Sequence, residues 1–188
     1  MKIPVCSLAV LAFVGSALIP AAVPGQSAAE AFTATASVSE GGGATAPVRI
    51  SIERFTTEKE REAVVGAVKS GGTAAVKAEL AKAKDAGTIE VGGRKTPIKY
   101  AYARPTGSGR IVTVVTAQPI LYLGAALPSP KPKAGFDLGV ALLVLDASGA
   151  GNGEFAPAAK VDTNEAGAIV ISDYGDAKIW LKEVAKAK

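Results

Sequence analysis

Residues 136–146 read Phe-Asp-Leu-Gly-Val-Ala-Leu-Leu-Val-Leu-Asp, an almost unbroken apolar run that closes on Asp146. A run of this length, bounded by turn-forming residues, is typical of a strand that is buried on both of its faces. It therefore predicts a central strand in a sheet. The stretch that follows, over 148–153, is rich in glycine and predicts a turn into the next strand.

Around this strand, the chain from Gly87 onward alternates short apolar segments with turn formers. The predicted strands are 88–91, 97–103, 110–116, 120–123, 136–146, 154–161, 168–172 and 177–184. Short connections favour antiparallel pairing, because a parallel return needs a crossover of about a dozen residues. The predicted fold is therefore α+β, with an antiparallel meander that forms either an open sheet or a barrel-like sheet.

A strand and two helices are expected before the meander. Residues 47–53 alternate apolar and polar side chains, as in a strand with one buried face. Thr57 and Glu60 have the spacing of a capping box at the start of a helix. The glycine pair at 71–72 predicts the end of that helix before a second one over 73–84. We therefore expect a helical hairpin after the first strand, docked on the sheet.

The N-terminal segment has the layout of a secretory signal. Lys2 supplies a positive start, 5–19 form an apolar run, and small residues over 28–31 suit a signal peptidase. The run is shorter than the ~20 residues that span a bilayer. We therefore expect cleavage near Ala31, no stable membrane insertion afterwards, and an exported protein that is periplasmic or secreted. The predicted divisions are a signal peptide over 1–31, a flexible leader over 32–46 and a single α+β domain over 47–188.

The composition argues against several kinds of site. The chain contains no histidine and one cysteine, Cys6, which lies in the predicted signal. The exported domain would therefore lack the imidazole and thiol groups that serve most nucleophilic and zinc sites. Its net charge of +4 is small and spread along the chain. Nucleic-acid binding, which calls for clustered basic residues, is not expected. No cofactor is predicted.

One turn carries the oxygen ligands that calcium prefers. Asp146, Asn152 and Glu154 follow one another closely, with glycines between them. Their spacing departs from that of the twelve-residue calcium loop, because Ala150 takes the fifth position and Glu154 comes too early. A glycine-rich hairpin turn explains the same residues without a metal. We therefore expect no metal site, with calcium as the weaker alternative.

Short segments of the chain read as a strand, the motif Glu53-Arg54-Phe55-Thr56, a helix and a meander. In this order they resemble a family of exported bacterial proteins that has no established function. The resemblance implies export and a shared fold, and it implies no activity. The chain departs from the family pattern at Phe55, where tryptophan is usual. The matching segments are 50–57, 60–61, 100–104, 110–112, 118–120, 143–146, 149, 151 and 173–175.

No Ser-x-x-Lys or Gly-x-Ser-x-Gly motif is present. The sequence therefore favours a non-enzymatic binding module for a small apolar ligand or a protein partner, with its site at the end of the sheet near the helices. One alternative is a hydrolase acting on carbohydrate or cell-wall material through paired carboxylates, at least one with a raised pKa. Another is an envelope component that assembles by strand addition. The candidate ligand-binding residues are Glu53, Arg54, Tyr102, Arg104 and Trp180.

Overall fold

The computed structural model describes residues 29–39, 43–176 and 178–187, so most of the predicted signal peptide lies outside the described residues. The chain forms ten strands and a kinked helix within these ranges. No described helix is both long and apolar enough to cross a membrane. The elements are β1 Glu30–Ser37, β2 Thr45–Ile52, α1 Glu58–Lys82, β3 Gly87–Val91, β4 Arg94–Ile98, β5 Tyr100–Thr106, β6 Gly109–Thr116, β7 Leu138–Asp146, β8 Gly151–Thr163, β9 Ile169–Asp173 and β10 Ile179–Lys186.

The strands form one antiparallel sheet in the order β4-β3-β2-β1-β10-β8-β7-β6-β5, with β9 paired to β8. Strands β4 and β5 lie at opposite ends of this order, yet only Lys99 separates them in the chain. The sheet therefore curls into a half-barrel that brings its two edges towards each other. This confirms the predicted α+β class and the antiparallel pairing. It also places the two terminal strands, β1 and β10, side by side in the middle of the sheet.

Two apolar clusters hold the fold together. The first fills the concave interior of the half-barrel and includes Phe32, Leu143 and Phe155. The second lies between α1 and the convex side of the sheet, and it includes Leu80 of α1 and Val140 of β7. Strand β7 contributes to both clusters and lies between β6 and β8. This explains most of its apolar run, although Leu142 is half-buried and Val144 is exposed, and it confirms that β7 is an inner strand of the sheet.

The flexible leader predicted over 32–46 is wrong for the residues of β1. This strand pairs with both β2 and β10, and Phe32 and Ala36 are fully buried. Its apolar positions are mostly alanine, and they alternate with threonine, so the period-two signal is weak. The ordered domain therefore includes β1 and does not start near residue 47.

The two helices predicted on either side of the glycine pair are present as two helical segments of α1, which meet at a kink where Gly71 and Gly72 leave the helical conformation. The capping box at its start is present, since the Thr57 hydroxyl accepts from the Glu60 amide and the Glu60 carboxylate accepts from the Thr57 amide. The kink falls at the predicted glycine pair, where Gly72 has φ 60° and ψ −149°. Only glycine adopts this conformation readily. The helix follows β2 and not the first strand of the chain.

The predicted strand over 120–123 is also absent. Residues 117–137 have no regular secondary structure in this part of the chain. Ile120, Leu123 and Leu127 are nevertheless buried in the interior cluster. Their apolar pattern therefore reflects a covering segment over the half-barrel and not a further strand.

Glu30, the first residue of β1, anchors the N-terminal end of the sheet. Its carboxylate accepts two hydrogen bonds from Arg110, at 3.2 and 2.7 Å, and lies 3.5 Å from the Lys186 ammonium. The Ala31 carbonyl accepts a hydrogen bond from the Ala187 amide at 2.7 Å. Residues around the predicted cleavage position are thus part of the folded domain.

A chain that begins at Phe32, as cleavage after Ala31 would produce, is expected to be less stable than one that begins at Ala29. Loss of the paired carboxylate removes hydrogen bonds to charged groups, which contribute about 2 kcal/mol. Urea unfolding of the two chains measures the difference, and Glu30→Gln in the longer chain isolates the ionic part. Equal free energies of unfolding for both chains would contradict this role of Glu30.

Candidate functional site

The convex side of the sheet is only partly covered by α1. The strand register carries one row of neighbours across the uncovered part, from Tyr102 on β5 through Leu142 on β7 to Trp180 on β10. A second row, two residues further along the strands, runs from Arg104 to Val144. We call this uncovered surface the outer face. It brings three of the five predicted ligand-binding residues to one side of the sheet.

A cleft of about 240 Å³ opens on the outer face beside α1. The sheet supplies its floor, α1 supplies one wall, and the turn between β8 and β9 supplies another. The floor is largely apolar, with Ile111 and Leu142 half-buried and Ile169 buried. The lining residues are Arg61, Tyr100, Tyr102, Arg104, Ile111, Thr113, Leu142, Asn164 and residues 166–170.

Arg61 joins the walls of the cleft. Its Nη1 donates to the Gly167 carbonyl at 3.1 Å, and its Nε donates to Glu58 Oε1 at 2.7 Å. Its Nη2 also contacts the Glu58 carboxylate. The guanidinium lies 5.5 Å from the centroid of the Tyr102 ring, within the range of a cation–π contact. Arg61 is therefore a positioning residue whose donors serve the protein itself.

Arg61 is not among the ligand-binding residues that the sequence predicts. It belongs to a run of alternating charges over 54–62 that is typical of a solvated helix face. Its partner Gly167 is 106 residues away in the chain. Local patterns carry no information on a contact of this separation.

Arg104 differs from Arg61, because no acidic side chain of the described residues pairs with it. It is half-buried and lines the cleft. Within the described ranges, its guanidinium forms no hydrogen bond and no ion pair. The cleft therefore contains a guanidinium whose five N–H donors find no acceptor among the residues that the structure describes.

The electrostatics of the cleft follow from these contacts. The Arg61 hydrogen bond and charge hold the pKa of the Glu58 carboxyl below its usual range. Burial and the Glu58 charge raise the pKa of Tyr102, whose hydroxyl donates to Glu58 at 3.3 Å. Burial also raises the pKa of Tyr100. At neutral pH both phenols are thus protonated, and two guanidinium groups face one carboxylate.

Replacing Glu58 by glutamine is expected to lower the free energy of unfolding at pH 7 by about 0.5 kcal/mol, as for an exposed helix pair. Because the folded pKa of Glu58 lies below its unfolded value near 4.5, the stabilisation is present above that value and is lost as pH falls through the folded pKa. Urea unfolding of both proteins at pH 7 and pH 3 measures this. An equal difference at the two pH values would contradict it.

Trp180 lines a different hollow on the outer face. This groove, of about 580 Å³, is bounded by Val144 and by residues 152–154 and 180–183. In the strand register, Trp180 lies four strand spacings from Tyr102, which is roughly 19 Å. The structure therefore brings Tyr102 and Arg104 together in the cleft but separates Trp180 from them.

The Trp180 ring takes part in an internal cluster. The Lys178 ammonium lies 4.2 Å from the centroid of Trp180, 5.1 Å from that of Tyr174 and 2.6 Å from the Glu154 carboxylate. Burial acts to raise the pKa of Glu154, but the hydrogen bonds from Lys178 and Tyr174 and the Lys178 charge lower it overall. Burial and the Glu154 carboxylate raise the pKa of Tyr174. These contacts give the cluster a structural role.

Glu53 and Arg54 lie at the junction of β2 and α1, outside the cleft. Glu53 is exposed, and its amide donates to the Ala86 carbonyl at 2.8 Å. Arg54 forms an ion pair with Glu60 at 3.0 Å and donates to the Lys84 carbonyl at 3.0 Å. These bonds join the start of α1 to the segment after its end. The predicted grouping of these two residues with Tyr102 and Arg104 is therefore wrong.

Two of the three residues of the calcium hypothesis, Asp146 and Glu154, are engaged in separate sets of contacts within the protein. Asp146 accepts from the Ser148 amide at 2.8 Å and from the Ala150 amide at 3.1 Å, which stabilises its own turn. Glu154 is bound to Lys178 and Tyr174. The described residues include no group of three or more acidic side chains placed to hold a metal ion. The hairpin turn explains the motif without a metal, and these contacts give the calcium alternative no support.

No protein-family model, curated protein or solved structure matches this chain. The resemblance to a family of exported bacterial proteins therefore stays a prediction. What the cleft does has to be inferred from its own geometry and charge.

Proposed function

We propose that this protein is an exported, non-enzymatic binding module, and that the cleft holds a small ligand with an apolar body. The observation that carries the proposal is the combination of an apolar floor, formed by Ile111 and Leu142, with the Arg104 guanidinium, which has no hydrogen-bond or ion-pair partner among the described residues. Ligand pockets commonly combine apolar walls with a few polar groups that orient the ligand. Export is supported by the signal-like pattern of the N-terminal sequence.

The size of the cleft limits the ligand. Its volume of about 240 Å³ lies below the ~300–1,000 Å³ of pockets that take drug-sized molecules. The interior of the half-barrel is filled by the apolar side chains of the first cluster. We therefore assign the ligand to the outer face, with the barrel-like sheet as its rigid support.

The hydrolase alternative gains no support from the carboxyl groups. A general acid in a glycosidase needs a raised pKa. Glu58, Glu60, Asp146 and Glu154 are all shifted in the opposite direction, because each accepts hydrogen bonds in its ionised form. The binding module is the function that the geometry supports best.

A thermal-shift screen of the protein against small apolar acids, alcohols and amines tests the proposal. A ligand that binds the folded state raises the unfolding midpoint by mass action. The variant Leu142→Trp places a large ring on the floor of the cleft and is expected to abolish the shift.

Val144→Trp is the matched control. Val144 lies on β7 two residues after Leu142, on the same face of the sheet, and is 57 % exposed. It lines the groove and not the cleft. This variant is expected to keep the ligand-induced shift. Loss of the shift in Val144→Trp alone would move the site to the groove, and no shift with any compound would overturn the proposal.

A further inference from the structure

We infer that the ligand of the cleft is an amphipathic carboxylate, with its carboxylate group on Arg104 and its apolar body on the floor beside Ile111 and Leu142. The inference rests on the proposed function and deepens it by naming the chemical class of the ligand. Two features of the cleft carry it: a guanidinium that no described residue pairs with, and an apolar surface next to it.

The first feature is the state of the two arginines. Arg61 is paired within the protein, since it donates to the Glu58 carboxylate and to the Gly167 carbonyl. Arg104 has no such partner in the described part of the chain. Taking a charged group partly out of water without a counter-charge is unfavourable, so an anion that pairs with Arg104 gains stabilisation.

The remaining groups of the cleft cannot neutralise Arg104. The Glu58 carboxylate is bound by Arg61 and by the Tyr102 hydroxyl. The raised pKa of Tyr102 keeps its phenol neutral at physiological pH, so it supplies no negative charge. With two guanidinium groups and one carboxylate, these side chains leave one net positive charge for the ligand to balance.

The second feature selects the shape of the anion. The planar fork of a guanidinium matches the two oxygens of a carboxylate. Beside it, Ile111 and Leu142 are half-buried and Ile169 is buried, which favours an apolar body and disfavours a hydrated one. The volume of about 240 Å³ admits a short chain or a single ring system.

The groove does not offer the same chemistry at its lysine cluster. There the Lys178 ammonium already has a carboxylate partner, Glu154, at 2.6 Å. Two aromatic rings cover the same ammonium. The anion is therefore assigned to Arg104 and not to this cluster.

The test measures the affinity of the full chain for octanoate, 1-octanol and octyltrimethylammonium by calorimetry at pH 7 and low salt. These probes share one apolar chain and differ in the charge of their head group. We expect octanoate to bind at least tenfold more tightly than octanol, and the cation not to bind. Added salt is expected to weaken the binding of octanoate and not that of octanol.

Arg104→Gln is expected to reduce octanoate affinity at least tenfold, to the level of octanol, without changing octanol binding. Arg104→Lys keeps the charge but loses the fork, and is expected to give an intermediate affinity. Arg94→Gln is the control: Arg94 lies over the Tyr122 ring at 4.2 Å, away from the cleft, and its loss should not alter octanoate binding. The unfolding midpoint of each variant verifies that it is folded.

The outcomes separate the inference from the proposal on which it rests. Equal affinity for octanoate and octanol, unchanged in Arg104→Gln, would overturn the carboxylate assignment and leave the binding module standing. Tighter binding of octyl phosphate than of octanoate would replace the carboxylate by a phosphate. If neither the octyl compounds nor the ring compound 2-naphthoate bind, both statements fail.

Discussion

Replacing Phe32 by alanine is expected to lower the free energy of unfolding by about 3–5 kcal/mol. Phe32 is only 1 % exposed and belongs to the interior cluster, on a strand that lies between β2 and β10. The guanidinium of Arg110 lies 5.9 Å from its ring centroid. Removing the ring leaves a cavity in the interior cluster, inside the half-barrel. Urea unfolding followed by circular dichroism measures the loss.

Val38→Ala is the matched control for this experiment. Val38 follows β1 directly and is 37 % exposed, so the substitution is expected to change stability by less than about 0.5 kcal/mol. A flexible leader would tolerate both substitutions equally. Equal stabilities of the two variants would therefore show that β1 is not part of the sheet.

Replacing Gly87 by alanine is expected to abolish cooperative folding. Gly87 opens β3 opposite Ile52 and has φ 149°, a conformation that favours glycine. A Cβ atom at this position would lie 2.0 Å from the Ser51 carbonyl oxygen. The backbone at Ser51 cannot move aside without breaking the pairing of β2 with β3. The variant is expected to show no urea-unfolding transition and a disordered circular dichroism spectrum.

Gly66→Ala is the control for the glycine effect. Gly66 lies within α1, and a Cβ atom there would meet nothing within 4 Å. Alanine is the better helix former, so this variant is expected to gain up to about 1 kcal/mol in the free energy of unfolding. Native-like unfolding of Gly87→Ala would contradict the observed register of β2 and β3.

Several elements could be predicted because their signals are local. The apolar run of β7 indicated a strand buried on both faces. The capping box at Thr57 and Glu60 marked the start of α1, and the glycine pair marked its kink. Tyr102 and Arg104, two of the predicted binding residues, lie two apart on one strand and therefore on one face, since side chains alternate along a strand.

Other elements gave no usable local signal. The small side chains of β1 left its alternation weak, and its burial depends on β2 and β10. The apolar residues of 120–123 resembled a strand, although they serve a covering segment. Arg54 and Trp180 were predicted in one site with Arg104, but the structure engages each of them in a separate set of contacts.

The positions of most strands, the α+β class and the start of the helix follow from the order of residues alone. Periodicity and capping act between neighbours a few residues apart, and that information is present in any short window of the chain. The pairing of β1 with β10, the curl of the sheet and the cleft depend on tertiary structure. They require contacts such as that of Arg61 with Gly167, between residues far apart in the chain, which form only when the whole sheet has closed around its core.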